Sequence, residues 1–275
     1  MIQHQGKDYK VVVVTPAGRE KMLCILRKYI ERDMVNGLID EWQLWLNTSI
    51  YQDIAYIESM QANNNKVHIK TVPGTAEYSM YNIHKFFQFA QDADTIYLRF
   101  DDDIVFIEEG AIKKLLEYRL MTQNPIAICA NIVDNTIISN IHQQIGVLGK
   151  ELGECTFERL DPLGWADPQF IELIHKTFIE NYNNKTLHRY YFTPYLLRNY
   201  EPFSISCFAW MGRTKLQPPV DEEMWISSQF PSICCKQNVI YGDALVVHYA
   251  YHTQREHLDS KPEYYNFYKE LSEHI

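Results

Sequence analysis

The chain has 275 residues, of which 46% are hydrophobic and 22% are charged, and its formal net charge is −9. This composition is typical of a globular protein, and the length suits one large domain or two modest ones. The acidic balance argues against a general nucleic-acid-binding surface, and no apolar run reaches the roughly 20 residues that a transmembrane helix needs.

Predicted strands and helices alternate through the first 133 residues. Apolar runs predict strands at 9–14, 41–48, 66–72, 95–100 and 125–133. Apolar residues at helical spacing predict helices at 20–34, 77–93 and 108–121. This alternation favours a parallel, doubly wound sheet, in which ligands bind just outside the carboxyl ends of the strands.

The second half of the chain has a weaker pattern. We expect a single domain over 1–275, in which residues 134–203 form an irregular, α-rich insertion between two halves, 1–133 and 204–275. Later elements are predicted as strands at 203–210 and within 238–252, and as a loop entering a helix at 221–230. A C-terminal helix is predicted over 260–275, with Ser260 as its N-cap and Pro262 in its first turn.

Three consecutive aspartates, Asp101, Asp102 and Asp103, interrupt an apolar run. Adjacent carboxylates repel each other unless a cation is present, and Mg²⁺ and Mn²⁺ prefer carboxylate oxygen. If the strand continued, Asp101 and Asp103 would face one way and Asp102 the other. The triplet therefore predicts half of a metal site that a diphosphate would complete. The alternative is a solvated turn in which one aspartate caps the helix that starts near Glu108.

Four segments in chain order resemble the metal-dependent glycosyltransferases of the GT-A fold, especially the family 2-like inverting enzymes. The first two, VVVVTPAGRE and IYLRFDDDIVFIEEGAIKKLL, resemble the first strand with its nucleotide-contacting loop, and the strand, D-x-D motif and following helix. EEMWISSQF is similar to the Glu-Asp-x-x-Leu-Ser-x-Arg segment that supplies the catalytic base, and NVIYGDALVVHY resembles the closing strand with its histidine.

The resemblance implies a GT-A (Rossmann-like) fold with a mostly parallel central sheet flanked by helices. Residues 1–133 would be the nucleotide-binding half, 134–203 the variable acceptor region and 204–275 the acceptor-side half. The implied reaction moves a sugar from a nucleotide-diphosphate donor, foremost a UDP-sugar, to a carbohydrate or other hydroxyl acceptor, with inversion. It would require Mn²⁺ or Mg²⁺.

The resemblance also assigns site residues. The implied metal ligands are Asp103, Asp101 and His248. The implied nucleotide contacts are Thr15, Pro16, Ala17, Arg19, Asn47, Asp101, Asp102 and Lys85. Glu223 stands where the family has its base aspartate, and Glu222 and Asp221 are the neighbouring candidates. Acids in the first turn of a helix also complement the helix dipole, which is the alternative explanation for these three.

The sequence departs from the family at three places. Glutamate replaces aspartate at the base position, and Gln229 stands where the family has arginine. The helix before the triplet lacks the Arg-Asn pair, for which Asn82, His84 or Lys85 would have to serve. Further candidates, left open between site and structural roles, are His252 and Arg255, and Trp165 with Tyr190 and Tyr191 as an aromatic platform for the acceptor.

Three other classes of protein remain alternatives. A phosphatase of the haloacid-dehalogenase type also carries D-x-D after an apolar strand, but normally after the first strand of its fold. A nucleotidyltransferase would have a Gly-rich basic loop after the first strand, which TPAGRE matches poorly. A binding module would keep ligand affinity without turnover.

Two further features concern the cellular environment. The six cysteines show no C-x-x-C spacing, and the sequence opens without the charged and apolar regions of a signal peptide. We therefore expect a cytoplasmic protein with free thiols.

Overall fold

A ten-stranded mixed sheet organises the computed structural model, which describes residues 1–72 and 83–275. The strands are β1 (Ile2–His4), β2 (Lys7–Ala17), β3 (Glu41–Leu46), β4 (Val67–Lys70), β5 (Thr95–Phe100), β6 (Ile104–Ile107), β7 (Ile128–Val133), β8 (Tyr195–Leu196), β9 (Cys207–Met211) and β10 (Val239–His248). The helices are α1 (Glu20–Val35), α2 (Tyr51–Asn63), α3 (Ala111–Met121), α4 (Thr136–Gln144), α5 (Pro162–Ala166), α6 (Pro168–Asn183), α7 (Glu222–Met224), α8 (Phe230–Ile233), α9 (Arg255–Asp259) and α10 (Pro262–Glu273). Short 3₁₀ helices span Ile83–Phe89, Leu187–Tyr190 and Gly212–Thr214, and a π-helical segment, Trp225–Gln229, joins α7 to α8.

The main path of the sheet has the strand order β4-β3-β2-β5-β9-β7-β10-β6. Parallel pairing joins β4, β3, β2 and β5, and also joins β7 to β10. β9 is antiparallel to both β5 and β7, and β6 is antiparallel to β10. Six of these eight strands therefore run in one direction, which confirms the predicted α/β fold with a mostly parallel sheet flanked by helices. Such a fold is compatible with Rossmann-like nucleotide binding.

The continuous apolar run in β2 reflects its central position. Val11, Val12, Val13 and Val14 are all buried, because β2 has a strand on each side and helices cover the sheet. Strands that are buried on both faces have continuous apolar sequences rather than alternating ones. α1 turns its apolar side toward this core and packs against β6 and α10.

Neither α2 nor β6 is predicted from the sequence, and nor are the short elements β1, β8 and α9. α2 buries only Asp53, Ile57 and Met60, so its apolar stripe is too narrow to stand out from the polar residues around it. β6 is four residues long and looked like the flank of the aspartate triplet. The helix predicted over 77–93 lies partly outside the described residues, and its described part forms the 3₁₀ helix Ile83–Phe89.

The segment 134–203 contributes long helices to the same core. Ile137 of α4 and Phe170 and Phe178 of α6 are fully buried. The ring of Phe178 lies 5.1 Å from that of Phe106 in β6, in an edge-to-face arrangement. The predicted α-rich character is thus present, and the aromatic residues of this segment largely serve packing.

The predicted N-cap of the C-terminal helix is wrong by one residue. α10 begins at Pro262 with Lys261 as its N-cap residue, and no side chain caps it. The hydroxyl of Ser260 instead donates to the carbonyl of His257 at 2.6 Å and so ends α9. Serine competes for both positions because its hydroxyl can bond to either helix terminus.

All six cysteines are free thiols, as predicted. Among the described residues, no helix is both long enough and apolar enough to cross a membrane.

Candidate functional site

Two cavities open at the carboxyl ends of the parallel strands, and they share Arg19 and Asp101 in their linings. The first has a volume of about 630 Å³ and the second about 470 Å³. The first is lined by Pro16, Gly18, Arg19, Asn47, Ile83, Arg99, Asp101, Asp102, Val220, Asp221 and Glu222. The second is lined by Arg19, Asp101, Asp103, Arg159, Leu160, Trp165, Ser204, Ser206, Glu223, His248, Ala250, Tyr251, His252 and Arg255. The aspartate triplet therefore lies where both cavities meet.

The triplet forms a turn between β5 and β6 rather than a continued strand. The amide of Ile104 donates to the carbonyl of Asp101 at 3.1 Å, which closes the turn. The alternation expected of a strand is therefore lost. Asp102 and Asp103 both contact Arg19, whereas Asp101 contacts Arg99.

Asp101 belongs to a partly buried chain of three charges. Arg99 Nε donates to Asp101 Oδ1 at 2.8 Å, and Arg99 Nη1 donates to Glu222 Oε1 at 2.7 Å. Burial raises the pKa of Asp101 to about 6, although Arg99 opposes the shift. Arg99 is not among the site residues predicted from the sequence. The sequence did contain a signal for Arg99, because it is a lone cation in the apolar strand β5, two residues before Asp101.

Asp102 fixes the loop between β2 and α1. Its carboxylate accepts a hydrogen bond from the amide of Gly18 at 2.9 Å and another from Arg19 Nε at 2.8 Å. The side chain of Asp102 is almost fully buried, so these contacts replace its lost hydration. The carboxylate thereby holds Arg19 at the boundary of the two cavities.

Gly18 leaves no room for a side chain in this loop. A Cβ atom there would lie 2.8 Å from the backbone oxygen of Asn47. The Gly18→Ala substitution is expected to lower the free energy of unfolding by about 1–3 kcal/mol, because the backbone must shift to relieve the overlap. Urea denaturation measures this loss.

Gly149→Ala is a matched control for this substitution. A Cβ atom at Gly149 would meet only the end of the flexible Glu151 side chain, which can rotate away. We expect its free energy of unfolding to stay within about 0.5 kcal/mol of the wild-type value. Equal losses in the two variants would contradict a special constraint at Gly18.

Asp103 faces three cationic groups through one oxygen atom. Its Oδ2 accepts a hydrogen bond from Arg255 Nη2 at 2.6 Å and lies 3.0 Å from Arg19 Nη1 and 3.3 Å from His248 Nε2. Burial alone would raise the pKa of Asp103, but Arg19, His248 and Arg255 together hold it well below its usual range. Asp103 is therefore a carboxylate in the folded protein.

His248 lies between two buried carboxylates. Its Nδ1 is 2.8 Å from Asp134 Oδ2, on the side opposite Asp103. Burial disfavours the imidazolium, yet Asp103 and Asp134 raise the pKa of His248 to about 10. Asp134 directly follows β7 and has a positive φ of 64°. Asp134 is not among the residues predicted from the sequence, although a lone acid at the end of an apolar strand was an available signal.

The residues around Asp103 do not fit a divalent ion in this arrangement. The protein's own cations already surround Asp103 Oδ2, and both ring nitrogens of His248 face carboxylates. Throughout residues 1–72 and 83–275, no three His, Cys, Asp or Glu side chains are grouped so as to hold a metal ion. Binding of Mn²⁺ or Mg²⁺ by Asp103, Asp101 and His248 stays a prediction.

The three candidate bases at the start of α7 differ in their surroundings. Asp221 is exposed, and its carboxylate caps α7 by accepting from the amide of Met224 at 3.0 Å. Glu222 is bound to Arg99 and lines the first cavity, whereas Glu223 lines the second. Arg159 donates to Glu223 at 2.5 Å, but burial outweighs this contact and raises the pKa of Glu223.

The predicted nucleotide contacts lie in three different places. Pro16 and Asn47 line the first cavity, together with the residues described above. Thr15 and Ala17 are buried inside the fold, and the hydroxyl of Thr15 accepts from Trp42 Nε1 at 3.0 Å. Lys85 lies in the 3₁₀ helix after the undescribed residues and does not line either cavity as far as the described residues define them.

Only part of the predicted aromatic platform lies at the site. Trp165 and His252 line the second cavity, with ring centroids 5.3 Å apart in an edge-to-face arrangement. Tyr190 is buried in the core, and the hydroxyl of Tyr191 donates to Glu108 at 2.6 Å. Asn82 lies outside the described residues.

The molecule has an α/β fold with a crevice at the carboxyl ends of its strands. No family model and no curated protein matches the chain. Solved structures with a similar fold include a 4-diphosphocytidyl-2C-methyl-D-erythritol synthase from Anaerococcus prevotii, 18% identical over 44% of this chain with a TM-score of 0.31. This chain spans about half the length of that protein, 54%.

Two further structures align over more of the chain. A mycobacterial protein is 12% identical over 87% of this chain and 67% of its own, with a TM-score of 0.49. A CMP:2-keto-3-deoxy-manno-octonic acid synthetase complexed with CTP is 10% identical over 97% of this chain and 100% of its own, also with a TM-score of 0.49. At these values the similarities do not assign an activity to this chain.

Proposed function

We propose that this chain is a glycosyltransferase that moves a sugar from a nucleotide-diphosphate sugar to a hydroxyl group of a carbohydrate or other acceptor, with inversion. A UDP-sugar is the first candidate donor. The observation that carries the proposal is the junction of two cavities at Arg19 and Asp101, with the carboxylate of Glu223 in the second cavity.

The first cavity has the size and the position to hold the donor nucleotide. Its volume of about 630 Å³ lies within the usual range for small-molecule sites. Pro16 lies at the carboxyl end of β2 and Asn47 directly follows β3, so the cavity lies where open α/β sheets bind their ligands. The diphosphate would lie toward the wall shared with the second cavity.

Two arginine side chains, each paired with an aspartate of the triplet, lie at that wall. Arg19 lines both cavities, and Arg255 lines the second beside Asp103. The guanidinium group matches phosphate oxygens with two parallel hydrogen bonds. Arg19 and Arg255 would therefore stabilise the negative charge that develops on the departing diphosphate.

Glu223 is our candidate for the general base. Its raised pKa brings it closer to neutral pH, where a carboxylate base is most effective. Glu223 would take the proton of the acceptor hydroxyl as the oxygen attacks the sugar carbon on the side opposite the diphosphate. A single displacement of this kind inverts the configuration at that carbon. The flat ring of Trp165 in the same cavity offers a surface for the acceptor.

The alternatives from the sequence differ from this proposal in testable ways. A phosphatase of the haloacid-dehalogenase type normally carries its aspartates after the first strand, whereas here they follow β5. A binding module would take up the nucleotide without turnover. A nucleotidyltransferase would prefer nucleoside triphosphates.

A thermal-shift panel tests the nucleotide specificity. UDP, GDP, CDP and dTDP are each measured with and without Mn²⁺, together with UTP and CTP. We expect one diphosphate to raise the melting temperature more than the others, because at equal concentration the ligand with the lowest Kd stabilises the folded state most. A ligand at 100 times its Kd contributes about 2.7 kcal/mol. A shift that appears only with Mn²⁺ would support the predicted metal requirement.

Two variants make this panel specific to the site. Arg19→Gln should abolish the nucleotide shift, whereas Lys21→Gln, which removes a charge from the exposed side of α1, should keep it. No shift with any nucleotide in a folded protein would refute the proposal. A preference for UTP or CTP would favour a nucleotidyltransferase.

A further inference from the structure

A further cavity, lined by cationic side chains, lies at the edge of the sheet opposite the candidate site. This basic cavity has a volume of about 300 Å³. Pro125 lies just before β7, Lys236 lies just before β10, and Arg213 follows the carboxyl end of β9. Since β9 runs against β7, all three lie at the amino-terminal edge of the parallel strands. The basic cavity is thus separate from the aspartate turn.

The basic cavity collects positive charge without an acidic partner. Its cationic lining residues are Arg119, Arg213 and Lys236, and its lining contains no acid within the described part of the chain. Within residues 1–72 and 83–275, none of these three side chains forms an ion pair. Arg213 Nη2 donates instead to the neutral amide oxygen of Gln123 at 3.1 Å. Burial and the nearby charge of Arg213 lower the pKa of Arg119 to about 10.

Arg119 is held in a fixed position in the wall of the basic cavity. The side chain is only 2% exposed. Its Nη1 donates to the carbonyl of Pro125 at 2.8 Å, and its Nη2 donates to the carbonyl of Thr122. Among the residues that the structure describes, its Nε has no hydrogen-bond partner. A buried positive charge that no acid neutralises costs free energy, and an anion in the cavity would offset that cost.

We infer that the basic cavity binds a phosphate-bearing anion. A phosphate group carries nearly two negative charges at neutral pH and accepts several charge-assisted hydrogen bonds, which suits three clustered cations. The volume is about half that of the first cavity, so a small phosphate ester or inorganic phosphate fits better than a nucleotide sugar. This inference does not depend on the proposed transferase activity.

Calorimetric titration with inorganic phosphate at constant ionic strength tests the inference. The double variant Arg213→Gln/Lys236→Gln removes two charges from side chains that are exposed or half-buried, so the fold should be retained. We expect this variant to bind phosphate at least about tenfold more weakly than the wild type, because two charge-assisted contacts are lost.

The matched control is Lys113→Gln/Lys269→Gln, which removes two charges from exposed positions on α3 and α10. It should bind phosphate like the wild type. The inference is overturned if the wild type shows no phosphate binding, or if both double variants bind equally. Binding that persists in Arg213→Gln/Lys236→Gln but is lost in Arg19→Gln would place the phosphate in the candidate site and would also overturn it.

Discussion

The Glu223→Gln variant is expected to lose sugar transfer by a factor of about 10²–10⁴ while its affinity for the donor nucleotide stays unchanged. Glutamine keeps the length of the side chain and an oxygen that can accept from Arg159, but it cannot take up a proton at neutral pH. Glu223 lines the second cavity, so the nucleotide should still bind in the first. Initial rates of transfer and a nucleotide titration measure the two quantities separately.

Asp221→Asn is the matched control for this variant. Asp221 lies two residues before Glu223 and caps α7, and asparagine caps a helix as well as aspartate does. We expect close to wild-type transfer from this variant. Full activity in Glu223→Gln, or an equal loss in Asp221→Asn, would contradict the assignment of the base to Glu223.

The pH profile of the wild type gives a further readout for the same residue. Burial raises the pKa of Glu223 above the usual value for glutamate of about 4.3. Since a general base acts in its deprotonated form, transfer should decline as the pH falls through this raised pKa. The residual rate of Glu223→Gln should lack that decline.

The Asp103→Asn variant is expected to lower the free energy of unfolding by about 3–5 kcal/mol, because it removes a buried negative charge that faces three cations. Asp103 Oδ2 faces Arg19, Arg255 and His248 within 3.3 Å. An amide can accept a hydrogen bond from one of them but cannot neutralise their charge. Urea denaturation at neutral pH measures the loss, and the nucleotide-induced thermal shift should disappear as well.

Asp94→Asn is the control for the stability of the Asp103 variant. Asp94 pairs with Lys7 at the surface, where both side chains are about half exposed. Such exposed pairs contribute about 0–1 kcal/mol, so the control should remain close to the wild type. A loss of less than about 1 kcal/mol in Asp103→Asn would contradict the buried charge cluster described here.

The sequence was most informative where a pattern is local. The valine run of β2 and the apolar run before the aspartates predicted central strands, because burial on both faces demands continuous apolar residues. The position of the triplet at a strand end followed from the same pattern. The turn itself was not predictable, because β6 is held by pairing with β10, which lies more than 130 residues later.

The partners of the acidic residues could not be read from the sequence. Glu222 meets Arg99 across 123 positions of the chain, and His248 meets Asp134 across 114. No periodicity links residues at such separations, since the tertiary fold alone brings them together. Arg159 was missed for the same reason, because it reaches Glu223 from the insertion.

The direction of β9 has a consequence for how this crevice could diversify. Because β9 runs against its neighbours, its amino end, rather than its carboxyl end, arrives at the crevice, and Ser204 and Ser206 just before it line the second cavity. The long segment 134–203 leads directly into this entry point. Changes of length or sequence in that segment can therefore remodel the second cavity, while β2 and β3 continue to supply the first.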